Sequence, residues 1–134
     1  MEKKVLKVGM KDSMVRVVTS EDVVKFSEVS GDTNPVHLDE EFAKNTMFGR
    51  RIAHGIISAG YISAVLGNQL PGQGTIYLGQ TLSFRKPVYL GDEITTTVEI
   101  IEANEEKHIY TLKTECVNQD GKVVTTGQAT VMYK

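Results

Sequence analysis

The amino-acid sequence predicts an α+β fold in which an antiparallel sheet wraps around one buried helix. Three observations carry this expectation. The segment from Gly55 to Asn68 is apolar on every side and holds no charged residue, the pattern of a helix enclosed by the rest of a domain. From Ile76 to Tyr133 the apolar residues recur with a period of two, the period of strands. The connections between those runs are too short for parallel crossovers, so neighbouring strands run antiparallel.

Taken in order, the first element is a short amphipathic helix. Thr19 or Ser20 supplies an N-cap, Glu21 and Asp22 suit the positive end of the helix, Val23, Phe26, Val29 and Ser30 follow at helical spacing, and Gly31 stops the run. Gly31 to Pro35 is a loop, since Gly, Asp, Asn and Pro favour turns and Asn34 before Pro35 is biased away from helical angles. Asp39 caps a helical turn through Ala43. The helix of Gly55–Asn68 spans about 21 Å, too short for a bilayer and suited to the axis of a small domain. Burial of its five Ile, Val and Leu side chains would contribute about 7–15 kcal/mol before conformational entropy is subtracted. After a turn over Leu70–Gly74, Ile76, Leu78, Leu82 and Phe84 share one strand face, with Gly79 as a candidate bulge. Glu93–Ala103 alternates through Ile94, Thr96, Val98 and Ile100, and His108–Val117 through Tyr110, Leu112, Thr114 and Cys116. Asp120-Gly121 closes a hairpin into Val123–Tyr133. A curled sheet leaves edges that pair with another subunit, so a homodimer or higher homo-oligomer is expected.

Composition bounds the function. A chain of 134 residues, 40% hydrophobic and 24% charged, fits one domain over residues 1–134 with a core that needs neither disulfide nor structural metal. Fifteen basic against seventeen acidic residues leave a net charge of −2, so no general field attracts nucleic acid or an anionic membrane. Any phosphate-bearing ligand must be held by a local cluster. Cys116 is the one cysteine, which excludes an internal disulfide and a Cys-based zinc site. Met1–Lys11 has no apolar h-region and no apolar run reaches the ~18 residues of a membrane span, so a cytoplasmic protein is expected.

Two segments carry chemistry. Ser30 to Asp39 sets a carboxylate, Asp32, and an imidazole, His37, on one Gly/Pro-shaped loop, and such a pair can take a proton from water and return it. The same residues also have plain structural uses, Asp32 and Asn34 as turn formers and His37 as a solvated side chain. The second segment, Arg50 to Gly55, leads into the apolar helix, whose first N–H groups lack internal partners and lie at its positive end. Gly55 would let a carbonyl oxygen approach the backbone there; close packing explains a glycine equally, and a hydrogen-bonded core position explains His54. Ser58 and Ser63 lie in the helix, and Gly55, Ala59, Ile62, Ser63 and Leu66 fall on one stripe. Either serine faces a ligand or bonds back to its own helix.

Phe26 to Asp39, FSEVSGDTNPVHLD, resembles the hydratase-2 motif of the MaoC-like (R)-specific enoyl-CoA hydratases, a group of hotdog proteins. The resemblance continues through IAHG at Ile52–Gly55, YLGQTLSFRKPVYLGDE at Tyr77–Glu93 and the closing strands. It implies a hotdog fold, an acyl-CoA thioester substrate, and hydration of a trans-2-enoyl-CoA to an (R)-3-hydroxyacyl-CoA or the reverse. It implies that Asp32 and His37 form the catalytic pair, that Gly55 donates its N–H to the thioester carbonyl, and that Ser63 is the helix serine of the pocket, with Asn34 and His54 also at the substrate. No cofactor and no metal are expected, although His37, Asp39 and His54 form a known type of ligand set. Arg51 and Ile56 depart from the proline and methionine of the pattern, which bears on pocket shape. The competing readings are a hotdog thioesterase and a non-catalytic acyl-CoA-binding module, the latter expected to carry an attached regulatory segment.

Overall fold

The computed structural model describes residues 3–134; Met1 and Glu2, at the head of the polar Met1–Lys11 segment, lie outside the described residues. The elements run β1 (Lys11–Val17), α1 (Ser20–Ser30), α2 (Pro35–Leu38), α3 (Glu40–Lys44), α4 (Ile57–Asn68), β2 (Ile76–Gln80), β3 (Ser83–Phe84), β4 (Glu93–Asn104), β5 (Ile109–Val117) and β6 (Val123–Met132). All pairings are antiparallel, in the order β1-β4-β5-β6-β2, with β3 also on β6. No helix among the described residues is long and apolar enough to cross a membrane.

The alternation in β4 and β5 turns one face of the sheet inward. Ile94, Thr96, Val98 and Ile100 are buried, as are Tyr110, Leu112, Thr114 and Cys116. The register sets Thr96 opposite Cys116, Val98 opposite Thr114 and Ile100 opposite Leu112. The two buried threonines are satisfied: Thr96 Oγ1 lies 3.4 Å from Cys116 Sγ, and Thr114 Oγ1 accepts from Gln80 Nε2 at 2.9 Å. Gly121, at φ +75°, makes the Asp120-Gly121 turn that a residue with a Cβ would strain.

Against this face lies α4, packed on β4, β5 and β1. It begins at Ile57, two residues later than the sequence suggests, because Gly55 and Ile56 form a turn and no side chain caps the start. The expectation of burial on every side is corrected: Ile57, Ser58, Tyr61, Ile62, Val65 and Leu66 are buried, whereas Ile56, Gly60 and Ser63 are exposed. One sheet covers one side of a helix, and the remaining short helices do not reach around to the other.

Two further differences concern the edges. Strand β1 was not foreseen, because six of its seven residues are exposed and the run has no apolar face; backbone pairing with β4 from Lys11↔Glu99 to Val17↔Glu93 holds it. The single run expected over Ile76–Phe84 is split into β2 and β3, with a register shift between Tyr77 and Gly79 at the anticipated bulge. The bulge takes Ile76, Leu78 and Phe84 off a common inward face, and all three are exposed while Leu82 is half-buried.

Candidate active site

The cleft is built where the end of α1 meets the start of α4. Thr19 and Asp22 form a reciprocal capping box at the start of α1, and Gly31, at φ +81°, ends it by donating its N–H to Ser27 O. The chain then turns on Asp32, whose Oδ1 accepts from Asn34 N–H at 3.2 Å, and on Asn34, whose Oδ1 accepts from Val36 N–H at 3.3 Å. Pro35 starts α2, so His37 sits on a short helix where a loop was expected. A proline at the first helical position loses no hydrogen bond and its φ is already helical. Asp39 caps α3 by accepting from Phe42 N–H at 3.2 Å.

His37 is 8% exposed, and its Nδ1 lies 2.8 Å from the Ile52 carbonyl oxygen. A carbonyl only accepts, so Nδ1 carries a proton, and it is Nε2 that bears the lone pair whenever the ring is neutral. His54 stacks on His37 with ring centroids 3.9 Å apart and packs beside Phe26 at 4.8 Å. Its Nε2 lies 3.1 Å from both the Asp32 carbonyl and Ser27 Oγ. Burial holds the His54 pKa below the ordinary 6.5, against the opposing pull of the Asp32 carbonyl. A neutral His54 that donates from Nε2 leaves Nδ1 as a buried acceptor, and that atom has no partner. Arg51 ties the same loop from outside, donating from Nε to His37 O at 2.8 Å and from Nη1 to Ser20 Oγ at 3.1 Å.

These residues open onto a cavity of about 500 Å³ lined on one side by Asp32, His37, His54 and Gly55 and on the other by Phe84, Arg85 and Lys86. The Asp32 carboxylate is exposed at its mouth. Around the first turn, the N–H groups of Ile57, Ser58 and Ala59 bond to the carbonyls of His54, Gly55 and Ile56, while Gly55 N–H has no partner among the described residues. A Cβ on Gly55 would lie 3.1–3.3 Å from the Phe84 ring, a tight contact that the ring would have to yield a few tenths of an ångström to admit. One oxygen of Asp32 and one nitrogen each of His37 and His54 lie within 4.8 Å of one another. That trio differs from the His37, Asp39 and His54 set considered from sequence, because Asp39 is used as a helix cap.

The structure thus brings Asp32, His37, His54 and Gly55 to one cleft. Asn34 engages its side-chain oxygen with Val36 N–H, the turn-forming use its residue type also suggests, and does not line the cavity. Ser63 is corrected: it is exposed on α4, six residues or about 9 Å beyond the helix start, and does not line this cavity. Ser58 neither faces the cleft nor bonds back to its own helix, but meets Thr125 Oγ1 on β6 at 3.0 Å. Sequence reasoning missed the opposite wall. Its only signal was the FRKP run after β2, in which Arg85 and Lys86 are cations beside an aromatic and a proline.

A curled antiparallel sheet on a central helix, with a carboxylate and an imidazole facing a glycine N–H at the helix start, defines a hotdog protein of the kind that handles thioesters. The chain belongs to the family of the MaoC-like domain, which matches residues 4–126. It is 46% identical to the (R)-specific enoyl-CoA hydratase of Rhodospirillum rubrum over 127 residues, 95% of this chain and 88% of that one. It is 48% identical to the 3-hydroxybutyryl-CoA dehydratase of Methylorubrum extorquens, over 94% of this chain and 80% of that one. The solved structure of the (R)-hydratase of Aeromonas caviae superposes with a TM-score of 0.94 at 45% identity, covering 96% of this chain and 98% of that one.

Proposed function

We propose that this protein adds water across the double bond of a trans-2-enoyl-CoA to give an (R)-3-hydroxyacyl-CoA, and catalyses the reverse dehydration. The observation that carries the reading is the wiring of His37: its Nδ1–H is fixed to the Ile52 carbonyl, so its Nε2 lone pair is offered to the cleft that Asp32 and Gly55 also line. The named activities of the relatives fit that arrangement.

The thioester carbonyl makes C3 of the enoyl group electrophilic, and attack there drives charge onto the carbonyl oxygen. Gly55 N–H, without a partner among the described residues and at the positive end of α4, donates to that oxygen; loss of one comparable donor costs about 3–4 kcal/mol elsewhere. Water held between Asp32 and His37 loses a proton as its oxygen bonds to C3, and the pair returns a proton to C2. His54 does not meet the substrate in this scheme; it holds the Asp32 backbone and backs the His37 ring. Because Asp32, on the loop after α1, and His37, on the adjoining α2, stand on one short segment, oxygen and hydrogen arrive on the same face, which is syn addition. The reaction leaves the redox state unchanged and calls for no redox cofactor.

The working form is a homodimer in the cytoplasm. Ile56, Ile76, Leu78 and Phe84 leave exposed apolar side chains of the kind that a second copy would cover. Crotonyl-CoA hydration followed beside thiol release tests the activity. Loss of enoyl absorbance without free thiol is the expected result; stoichiometric thiol release would make the protein a thioesterase. Hydration in deuterated water that gave the anti product would break the single-loop mechanism.

A further inference from the structure

Two polar side chains meet where both packing surfaces are otherwise apolar. On the sheet side of α4, Ser58 lies among Ile62, Val65 and Leu66, and on the inward face of β6, Thr125 stands in line with Ala129 and Val131. Ser58 is 1% exposed and Thr125 2%, and their hydroxyls lie 3.0 Å apart. An alanine and a valine would fill the same space with no polar group to desolvate, so stability alone does not call for this pair. What a hydrogen bond adds to such a contact is direction.

Direction matters most at this end of α4. No side chain caps the helix start, and Ser58 is the one residue of the first turn, Ile57 to Gly60, with a polar side chain. Its N–H bonds to Gly55 O at 3.1 Å. The bridge to Thr125 therefore reaches the glycine through a single backbone bond.

Thr125 holds the other side of the same gap. It lines the active-site cavity and is the register partner of Phe84 on β3, whose ring would lie 3.1–3.3 Å from a Cβ at Gly55. One residue of β6 thus ties down both the helix start that follows Gly55 and the strand that carries the facing wall. The direction of Gly55 N–H, relative to a carbonyl oxygen seated between them, is set through that residue.

We infer that the Ser58–Thr125 bond aims Gly55 N–H at the thioester carbonyl, and that Ser58 and Thr125 are positioning residues for the reaction. The inference rests on the hydratase reading and deepens it. Neither hydroxyl exchanges a proton with the substrate. A small shift of the first turn lengthens the bond from Gly55 N–H to the developing oxyanion, and the loss falls on the transition state more than on binding.

The test sets Ser58→Ala combined with Thr125→Val, which removes both hydroxyls together, against Thr125→Ser, which keeps the bond and deletes a methyl group. In the double variant kcat for crotonyl-CoA should fall by about tenfold or more while KM stays within about twofold. Thr125→Ser should keep kcat within about threefold of the wild type, and the urea midpoint of the double variant should stay close to that of the wild type. A second readout needs no turnover. Butyryl-CoA has no double bond to hydrate, and the infrared stretch of its thioester carbonyl, labelled with carbon-13, falls in frequency when the oxygen accepts a hydrogen bond. Binding to the wild type and to Thr125→Ser should lower that frequency, and binding to the double variant should lower it by about half as much or less. An unchanged kcat in the double variant would overturn the assignment, as would an equal carbonyl shift in all three proteins. So would a Thr125→Ser protein as impaired as the double variant, which would trace the effect to packing of the methyl group. If the double variant does not fold, Ser58→Ala alone carries the same comparison. A wild type that shifts the butyryl-CoA carbonyl yet does not hydrate crotonyl-CoA sinks the hydratase reading, and the carbonyl shifts of the variants still decide the aim of Gly55. A wild type that leaves the carbonyl unmoved removes Gly55 N–H from the thioester and this inference with it.

Discussion

The loop from Gly31 to Asp39 and the inner face of β4 and β5 are built from opposite materials. The sheet face is made of side chains such as Val98, Ile100 and Leu112, each wholly buried, and these pack by dispersion and burial on a hydrogen-bonded ladder. The loop contributes little to the core and is held by directed bonds: Asp32 to Asn34 N–H, His54 to the Asp32 carbonyl, His37 to Ile52 and Arg51 to His37. The difference teaches where each region is vulnerable. Loss of volume in the sheet costs stability, whereas a change of one proton or one acceptor in the loop costs chemistry.

The sharpest break comes from the loop. Asp32→Asn and His37→Gln keep the size of the side chain and remove its proton chemistry, so hydration of crotonyl-CoA should fall by about 10²–10⁴-fold in each. Thermal unfolding should shift little for Asp32→Asn, whose side chain is exposed. A folded variant with near-normal turnover would take that residue out of the mechanism. The sheet should show the reverse. Leu112→Ala should lose about 2–5 kcal/mol in urea unfolding, while the remaining folded protein keeps its turnover number; an activity loss larger than the loss of folded protein would mean that packing sets the site.

His54 joins the two regions, being both buried and hydrogen-bonded, and its signature is pH dependence. Its pKa is lowered in the folded protein, so below the ordinary 6.5 the unfolded chain binds more protons than the folded one. The His54 contribution is therefore fully present above that value and declines as pH falls from it toward the lowered folded value. Urea midpoints for the wild type and His54→Gln should converge on acidification, with the variant less stable at neutral pH. Parallel curves would show that His54 does not titrate on unfolding. The smallest effect belongs to the far end of α1. Thr19→Ala removes half of the capping box and should cost about 1 kcal/mol, leaving KM unchanged. A raised KM would show that α1 transmits its position to Asp32.

The sequence by itself determined the antiparallel sheet from β2 onward, the apolar helix, the caps at Thr19, Gly31 and Asp39, and the Gly31–Pro35 loop that holds Asp32. These follow from local periodicity and turn chemistry, which lie within a few neighbouring residues. Strand β1 was invisible because its exposed edge position leaves no apolar period, and its order comes from β4. Only the tertiary structure decided that Ser58 bonds to Thr125 and that Ser63 stays exposed outside the cleft lining, since a run apolar on all sides does not say which side the sheet will cover. It alone set His54 over His37, at a ring separation of 3.9 Å between residues seventeen positions apart. It alone brought the Phe84–Lys86 wall against Gly55. Such contacts depend on where separate elements pack, and no pattern within one segment encodes a distance to another.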